Sequence, residues 1–334
     1  MDDEIPTKGD ILTELELDDG VLRLISHARD RGMIPIAGIV SERVSGERHR
    51  VLGCGWNHLR EGIPGIHGET GAVMNAGRLS GGYREVVVTS SLNPCEFCQR
   101  TLMRHLGVGN VRILDTDNLA GNWDVYHEAG VVPVVAKHKK VGRLFREWIE
   151  DEANRNTWAR DIGNVPKAVK VSTTPIDVSK PTPVRQRAVE LAIDLAGRAG
   201  GEAPMGAVVL DRYGEVIGAG HAHIAQNDDP SMVAAMSAWR ACGARELWRD
   251  KTLVLTGGLD QIAYSMFSVF RFGQLLFVGD VVFGEDLVAR LKCPVVRLNS
   301  RAHRAVGDRL RAWATRDRGR AEEYLGVDFK LSGS

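Results

Sequence analysis

Leucine and isoleucine recur at helical spacing between residues 12 and 32, and the pattern then shortens to strand-like runs at 35–40 and 50–53 around the polar turn Ser45-Gly46-Glu47. A helix and then a hairpin are therefore predicted. Downstream, a short helix is expected over 68–77, a β-branched strand over 85–89, and a helix over 95–106 opened by the Pro94-Cys95 step. Strands at 110–115 and 131–136 complete a layered α/β/α domain, and a helix from 143 to about 154 leads into Trp158-Ala-Arg-Asp161-Ile-Gly163.

Periodicity then lapses. Residues 164–183 carry Pro166, Pro175, Pro181 and Pro183, which reads as an extended linker. Beyond it the chain echoes its own first half: Pro204-Met-Gly-Ala-Val-Val209 resembles Pro35-Ile-Ala-Gly-Ile-Val40, and Val216-Ile-Gly-Ala-Gly-His-Ala222 resembles Val51-Leu-Gly-Cys-Gly-Trp-Asn57. A helix over 231–241 falls where the 68–77 helix should recur, and a strand over 253–256 matches 86–89. The expected organisation is a divergent tandem repeat, with a first domain over 1–165, a linker over 166–182 and a second domain over 183–334.

The chemistry sits in the first copy. His67-Gly68-Glu69 precedes Pro94-Cys95-Glu96-Phe97-Cys98, and together they supply three borderline or soft ligands, His67, Cys95 and Cys98, and an unligated carboxylate, Glu69. A C-x-x-C pair alone would serve equally as a redox dithiol or half of a structural zinc knuckle. A structural site would want a fourth Cys or His nearby, whereas Cys54, Cys242 and Cys293 are scattered singly. Catalytic zinc takes three protein ligands and keeps a place for water, and Glu69 then stands beside the metal as a proton shuttle. Both motifs open helices, whose positive ends favour thiolate over thiol.

In the second copy the histidine and glutamate positions fall on Val233 and Ala235, and that of Asn57 on Ala222. The cysteine positions fall near Ile262 and Ser265, or on Asp260 and Ala263 if the frame slips. Neither frame restores a ligand set, so one zinc per chain is expected.

Composition narrows the setting. With 334 residues and 43% apolar content the chain can build two ordinary cores. No apolar run reaches membrane-spanning length, the acidic stretch 1–10 lacks the features of a signal peptide, and five cysteines suit a reducing, cytoplasmic compartment. Lys+Arg and Asp+Glu balance at 43 each, which argues against a nucleic-acid or other polyanionic partner. His58, His105, His127, His138, His221 and His223 read as surface or hydrogen-bonded residues, Phe145 and Trp148 as core-facing, and the basic run 301–320 as a solvated helix face.

From Pro35 to Gly163 the first domain resembles the fungal-type cytosine deaminases, a branch of the zinc-dependent cytidine deaminase-like superfamily. The likeness rests on Gly55-Trp-Asn57, His67-Gly-Glu69, Gly77-Arg-Leu79, Pro94-Cys95-x-x-Cys98 and Trp158-Ala-Arg-Asp161-Ile-Gly163. It implies a three-layer α/β/α fold with a mixed central sheet, here present twice as an intrachain pseudo-dimer, with further homo-oligomerisation open. It also implies substrate contacts from the Asn57 side chain, the Gly68 backbone, Asn93 and Trp158, and from Asp161 on a C-terminal helix that lids the pocket. The residue capping the base, Leu119 or Trp123, is left open. The implied reaction is hydrolytic deamination of a small, free, cytosine-like heterocycle with loss of ammonia. Deamination of guanine, creatinine, a secondary-metabolite intermediate, or a base in tRNA or single-stranded nucleic acid stays as the alternative.

Overall fold

The computed structural model describes residues 4–58, 63–161, 174–243, 248–327 and 329–332, without the side chains of 160, 161 and 302. The chain divides into two compact units, Met1–Asn164 with Asp228–Ser231, and Val165–Asn227 with Met232–Ser334.

The first unit opens on a short strand β1 (Ile11–Thr13) and helix α1 (Glu14–Asp30), then the hairpin β2 (Ala37–Ser45) and β3 (Arg48–Trp56). Helix α2 (Gly68–Ala76), strand β4 (Val86–Ser90), helix α3 (Glu96–Gln99) and strand β5 (Asn110–Ile113) come next. Helix α4 (Trp123–Ala129), strand β6 (Val134–Val135) and helices α5 (Lys139–Ile149) and α6 (Glu152–Asp161) end the unit. The sheet order is β1-β3-β2-β4-β5-β6, antiparallel through β4 and parallel from β4 to β6.

Two apolar clusters sandwich this sheet. Leu17, Val21, Leu24 and Ile25 of α1 join Ile39, Leu114 and Val141 on one face, while Ala72, Val73, Leu102, Met103 and Tyr126 join Val88 and Ile113 on the other. Helix α2 lies close to the hairpin because Gly53 and Gly55 carry no side chain. A Cβ on Gly55 would drive into the backbone of Ala72.

The second unit runs through α7 (Pro183–Gly197), β7 (Gly206–Leu210), β8 (Val216–His221), α8 (Ile224–Asn227), α9 (Ala234–Ala241) and β9 (Thr252–Gly258). It continues through α10 (Gln261–Ser268), β10 (Gln274–Phe283), α11 (Glu285–Ala289), β11 (Val295–Leu298), α12 (Arg301–Arg316) and α13 (Arg318–Leu325). Its sheet, β11-β10-β9-β7-β8, repeats the pairing sense of the first: an antiparallel hairpin, an antiparallel step, then two parallel steps. Gly218 and Gly220 let α9 lie close to the hairpin, as Gly53 and Gly55 do for α2. The α/β/α architecture with a mixed sheet is thus present twice.

Several predicted boundaries move for physical reasons. The helix expected from 12 begins at Glu14, because Ile11–Thr13 pairs with Arg48–Arg50 and Thr13 with Glu16 forms a capping box. The helix over 95–106 is α-helical only through Gln99. Residues Arg100–His105 form a π-helical turn, with Leu106 N bonded to Thr101 O at 3.0 Å. The strand expected over 131–136 shrinks to Val134–Val135, and the helix over 143–154 is two helices, the second begun where the Asp151 carboxylate accepts from Asn154 N at 2.9 Å. The helix over 231–241 starts at Ala234. Within the proline-bearing stretch, residues 166–173 lie outside the described residues, whereas Ile176 and Val178 pack into the second core.

Candidate metal centre and active site

His67 and Cys95 occupy the residues just before α2 and α3, at the ends of extended segments, so both side chains project from helix starts. The His67 backbone is held by its N–H to Thr70 Oγ1, at 2.8 Å, and Phe97 packs edge-on against the imidazole at 5.5 Å between ring centres. Its Nδ1 lies 3.3 Å from both Cys95 Sγ and Cys98 Sγ. All three residues are buried, and their donor atoms fall within 4.8 Å of one another, the only such group of His, Cys and acidic residues among those described. Tetrahedral zinc with N and S bonds of about 2.0–2.3 Å places its ligands roughly 3.6 Å apart. The donor types and spacing fit that ion.

Glu69 lies in the first turn of α2, 2% exposed, and accepts from Ser90 Oγ at 2.5 Å. Burial first, then Cys95, pushes its carboxyl up, while the Ser90 hydrogen bond pulls it down. A carboxyl held up in this way keeps its proton to higher pH than an exposed one. Gly68, first in α2, packs so tightly on β2 that a Cβ there would lie 2.6 Å from Ala37 Cα.

The other expected contacts fall into place unevenly. Asn57, at the end of β3, is fully buried, with its backbone N–H on Ile36 O at 3.1 Å. Trp158 on α6 packs edge-on against Phe145 at 5.1 Å, and its indole N–H is buried without an acceptor among the described residues. Leu119 packs with Trp158 against Ile34, Ile36, Leu92, Phe145 and Trp148, whereas Trp123 is 48% exposed. Asp161 is the last residue of α6, and its side chain, with Ile162 and Gly163, lies outside the described residues.

Asn93 is engaged structurally. Its carboxamide donates to Ala120 O and accepts from Tyr126 Oη at 2.9 Å and Gln99 Nε2 at 3.4 Å, and its backbone N–H donates to Asp115 O at 2.8 Å. These bonds tie the Pro94-Cys95 turn to the 115–122 loop. Ser90, Phe97, Gln99 and Tyr126 are not singled out by the sequence. Only the Ser-Ser step at the end of β4 hints at a polar group there.

In the second unit Val233 stands just before α9 and Asp260 just before α10, the places of His67 and Cys95. The slipped frame is therefore the structural one. Asp260 caps its helix by accepting from Ala263 N at 2.8 Å, and Val233, Ala235 and Ala263 are buried apolar residues.

No family model matches the chain. Over 115 residues it is 30% identical to the cytosine deaminase of Candida albicans (strain SC5314 / ATCC MYA-2876), a match covering 34% of this chain and 75% of that protein. The chain belongs to the cytidine deaminase-like superfamily. Similar solved structures include guanine deaminase from Nitrosomonas europaea, 16% identical with a TM-score of 0.30, over 40% of this chain and 86% of that one. Another is dCMP deaminase from cyanophage S-TIM5, 18% identical with a TM-score of 0.27, over 37% of this chain and 99% of that one. In this superfamily member no helix among the described residues is long and apolar enough to cross a membrane.

Proposed function

We propose that this chain is a zinc-dependent aminohydrolase of the fungal-type cytosine deaminase branch, acting on a small free base with a cyclic amidine, cytosine-like, and releasing ammonia. The observation that carries the reading is Glu69, buried beside a cluster of just three metal donors and held by Ser90. His67, Cys95 and Cys98 would hold the ion, one per chain. Zinc so bound acts as a Lewis acid that brings the pKa of a water to about 7.

Glu69 moves the protons. It takes one from the attacking water and delivers it to the ring nitrogen, then takes the remaining proton of the added hydroxyl and passes it to the amino group, so that the C–N bond breaks, ammonia departs and a carbonyl remains. Asn57, buried at the end of β3, offers a donor and an acceptor to the O2 and ring N–H edge. The Gly68 backbone adds a contact, Asp161 accepts from the amine, Trp158 walls the pocket, and Leu119, packed against the same apolar cluster as Trp158, is the cap. Residues 1–165 form the catalytic domain, 166–182 the connection and 183–334 a metal-free domain that serves packing. Free cysteines throughout suit a cytoplasmic protein.

The test is ammonia release by the zinc-loaded protein from cytosine, guanine, creatinine and a cytosine-bearing single-stranded oligonucleotide. Release from free cytosine is expected. Release from the oligonucleotide alone would transfer the reading to polymers, and silence on every compound would overturn it.

A further inference from the structure

A second concave site lies in the first unit, where Leu114 to Asp117 leave β5 and Lys137 to Lys140 leave β6. It is a cavity of about 400 Å³, within the range of small-ligand pockets. Carboxyl ends of parallel strands are where open α/β sheets place ligands.

Its charge is one-sided. Lys137, Lys139, Lys140, Arg143 and Arg146 line it, against the carboxylates of Asp115 and Asp117, in a chain whose formal charge is zero. Arg143 has a partner, Glu147, at 3.7 Å. Lys137, Lys139, Lys140 and Arg146 make no ion pair or side-chain hydrogen bond among the described residues. Asp115 does not offset them freely: it is 5% exposed, accepts from Asp117 N at 3.0 Å and from Asn118 Nδ2, and lies against Gly142. In the same lining, His138 Nδ1 is buried without a partner, and His138 leaves the first turn of α5 without a side-chain cap.

Solvated surface lysines on one helix would point outward in all directions. Here five cations from a strand end and two turns of α5 surround one hollow, the arrangement that holds an anion with several negative oxygens. We infer that this cavity binds a phosphate-bearing small ligand, its phosphate oxygens held by Lys137, Lys139, Lys140 and Arg146. Asp115 O accepts from Asn93 N, two residues before Cys95, so the cavity wall and the metal turn are joined by one hydrogen bond.

Calorimetric titration of the zinc-loaded full-length protein with inorganic pyrophosphate should show a single site. Charge reversal by Lys140→Glu with Arg146→Glu should weaken it at least ~10-fold, with zinc content and melting temperature unchanged because both residues are exposed. Arg309→Glu, an exposed change on α12, should leave binding as it was. No pyrophosphate binding, or binding that survives the charge reversal, overturns the inference. So does an oligonucleotide that binds through Lys140 and Arg146 where pyrophosphate does not. Turnover plays no part in these titrations, so failure of the deaminase reading would leave their outcome interpretable.

Discussion

Replacing Asn93 with alanine separates two roles that a polar residue beside a metal ligand can play. The substitution removes the acceptor of Tyr126 Oη at 2.9 Å and of Gln99 Nε2 at 3.4 Å, and the donor to Ala120 O. Ala120 is exposed and can turn to water, but Tyr126 is 2% exposed and its O–H would be left without the acceptor it uses. A lost hydrogen bond costs ~1 kcal/mol and a stranded buried group ~1–3 kcal/mol, so a loss of ~2–4 kcal/mol is expected. For a unit of this size that lowers the melting temperature by roughly 4–16 °C. Tyr126→Phe alone should cost ~1 kcal/mol. In the Asn93→Ala background the same change removes the stranded hydroxyl and should cost nothing or restore stability, giving a coupling of ~1 kcal/mol or more. Thermal melts of the four zinc-loaded proteins measure this. Additive effects, or an Asn93→Ala protein with an unchanged melt and a raised KM for the base, would refute the positioning role and restore Asn93 as a substrate contact.

Glu69→Ala deletes the proton shuttle and no metal donor, so zinc content should be kept while ammonia release falls by at least ~10²; turnover within a few-fold of the parent would remove Glu69 from the chemistry. His105, 1% exposed, is pushed down to about 4 by burial. With a folded pKa below the unfolded value, its contribution is intact above about 6.5 and is lost as pH falls from there towards about 4, by up to ~3 kcal/mol. Melts across that range should show a shallower acid slope for His105→Gln than for the parent, and parallel slopes would mean that His105 does not carry the effect.

The candidate metal donors His67, Cys95 and Cys98, and the carboxylate of Glu69 beside them, are legible because their chemistry is written in residue type and short spacing: each lies within four residues of a helix start, and local signals place helix starts. The alternation of fold elements is readable for the same local reason. Features that escape a reading of the sequence depend on distant partners. Asn93 is fixed by Tyr126, thirty-three residues on, and Glu69 by Ser90, across a strand. Strand β1 exists only because Arg48–Arg50 pairs with it. The π turn after Gln99 widens a helix whose sequence reads as ordinary α, and packing of Leu102, Met103 and Leu106 into one cluster accompanies it. The repeat is visible in its glycines, since Gly53, Gly55, Gly218 and Gly220 are demanded by close helix packing. Which residues of the second unit stand where His67 and Cys95 stand in the first is settled only by Val233 and Asp260 at helix starts.

X-ray absorption at the zinc edge of the purified full-length protein tests the central claim most directly, because it reads donor types, number and distances together. One zinc per chain is expected, with two sulfur ligands at about 2.3 Å, one imidazole nitrogen at about 2.0–2.1 Å and one further light atom from solvent. A shell of four protein ligands, a second zinc in each chain, or a zinc that stays bound after Cys98→Ser with its sulfur count unchanged would contradict the assignment of His67, Cys95 and Cys98 as an open catalytic centre.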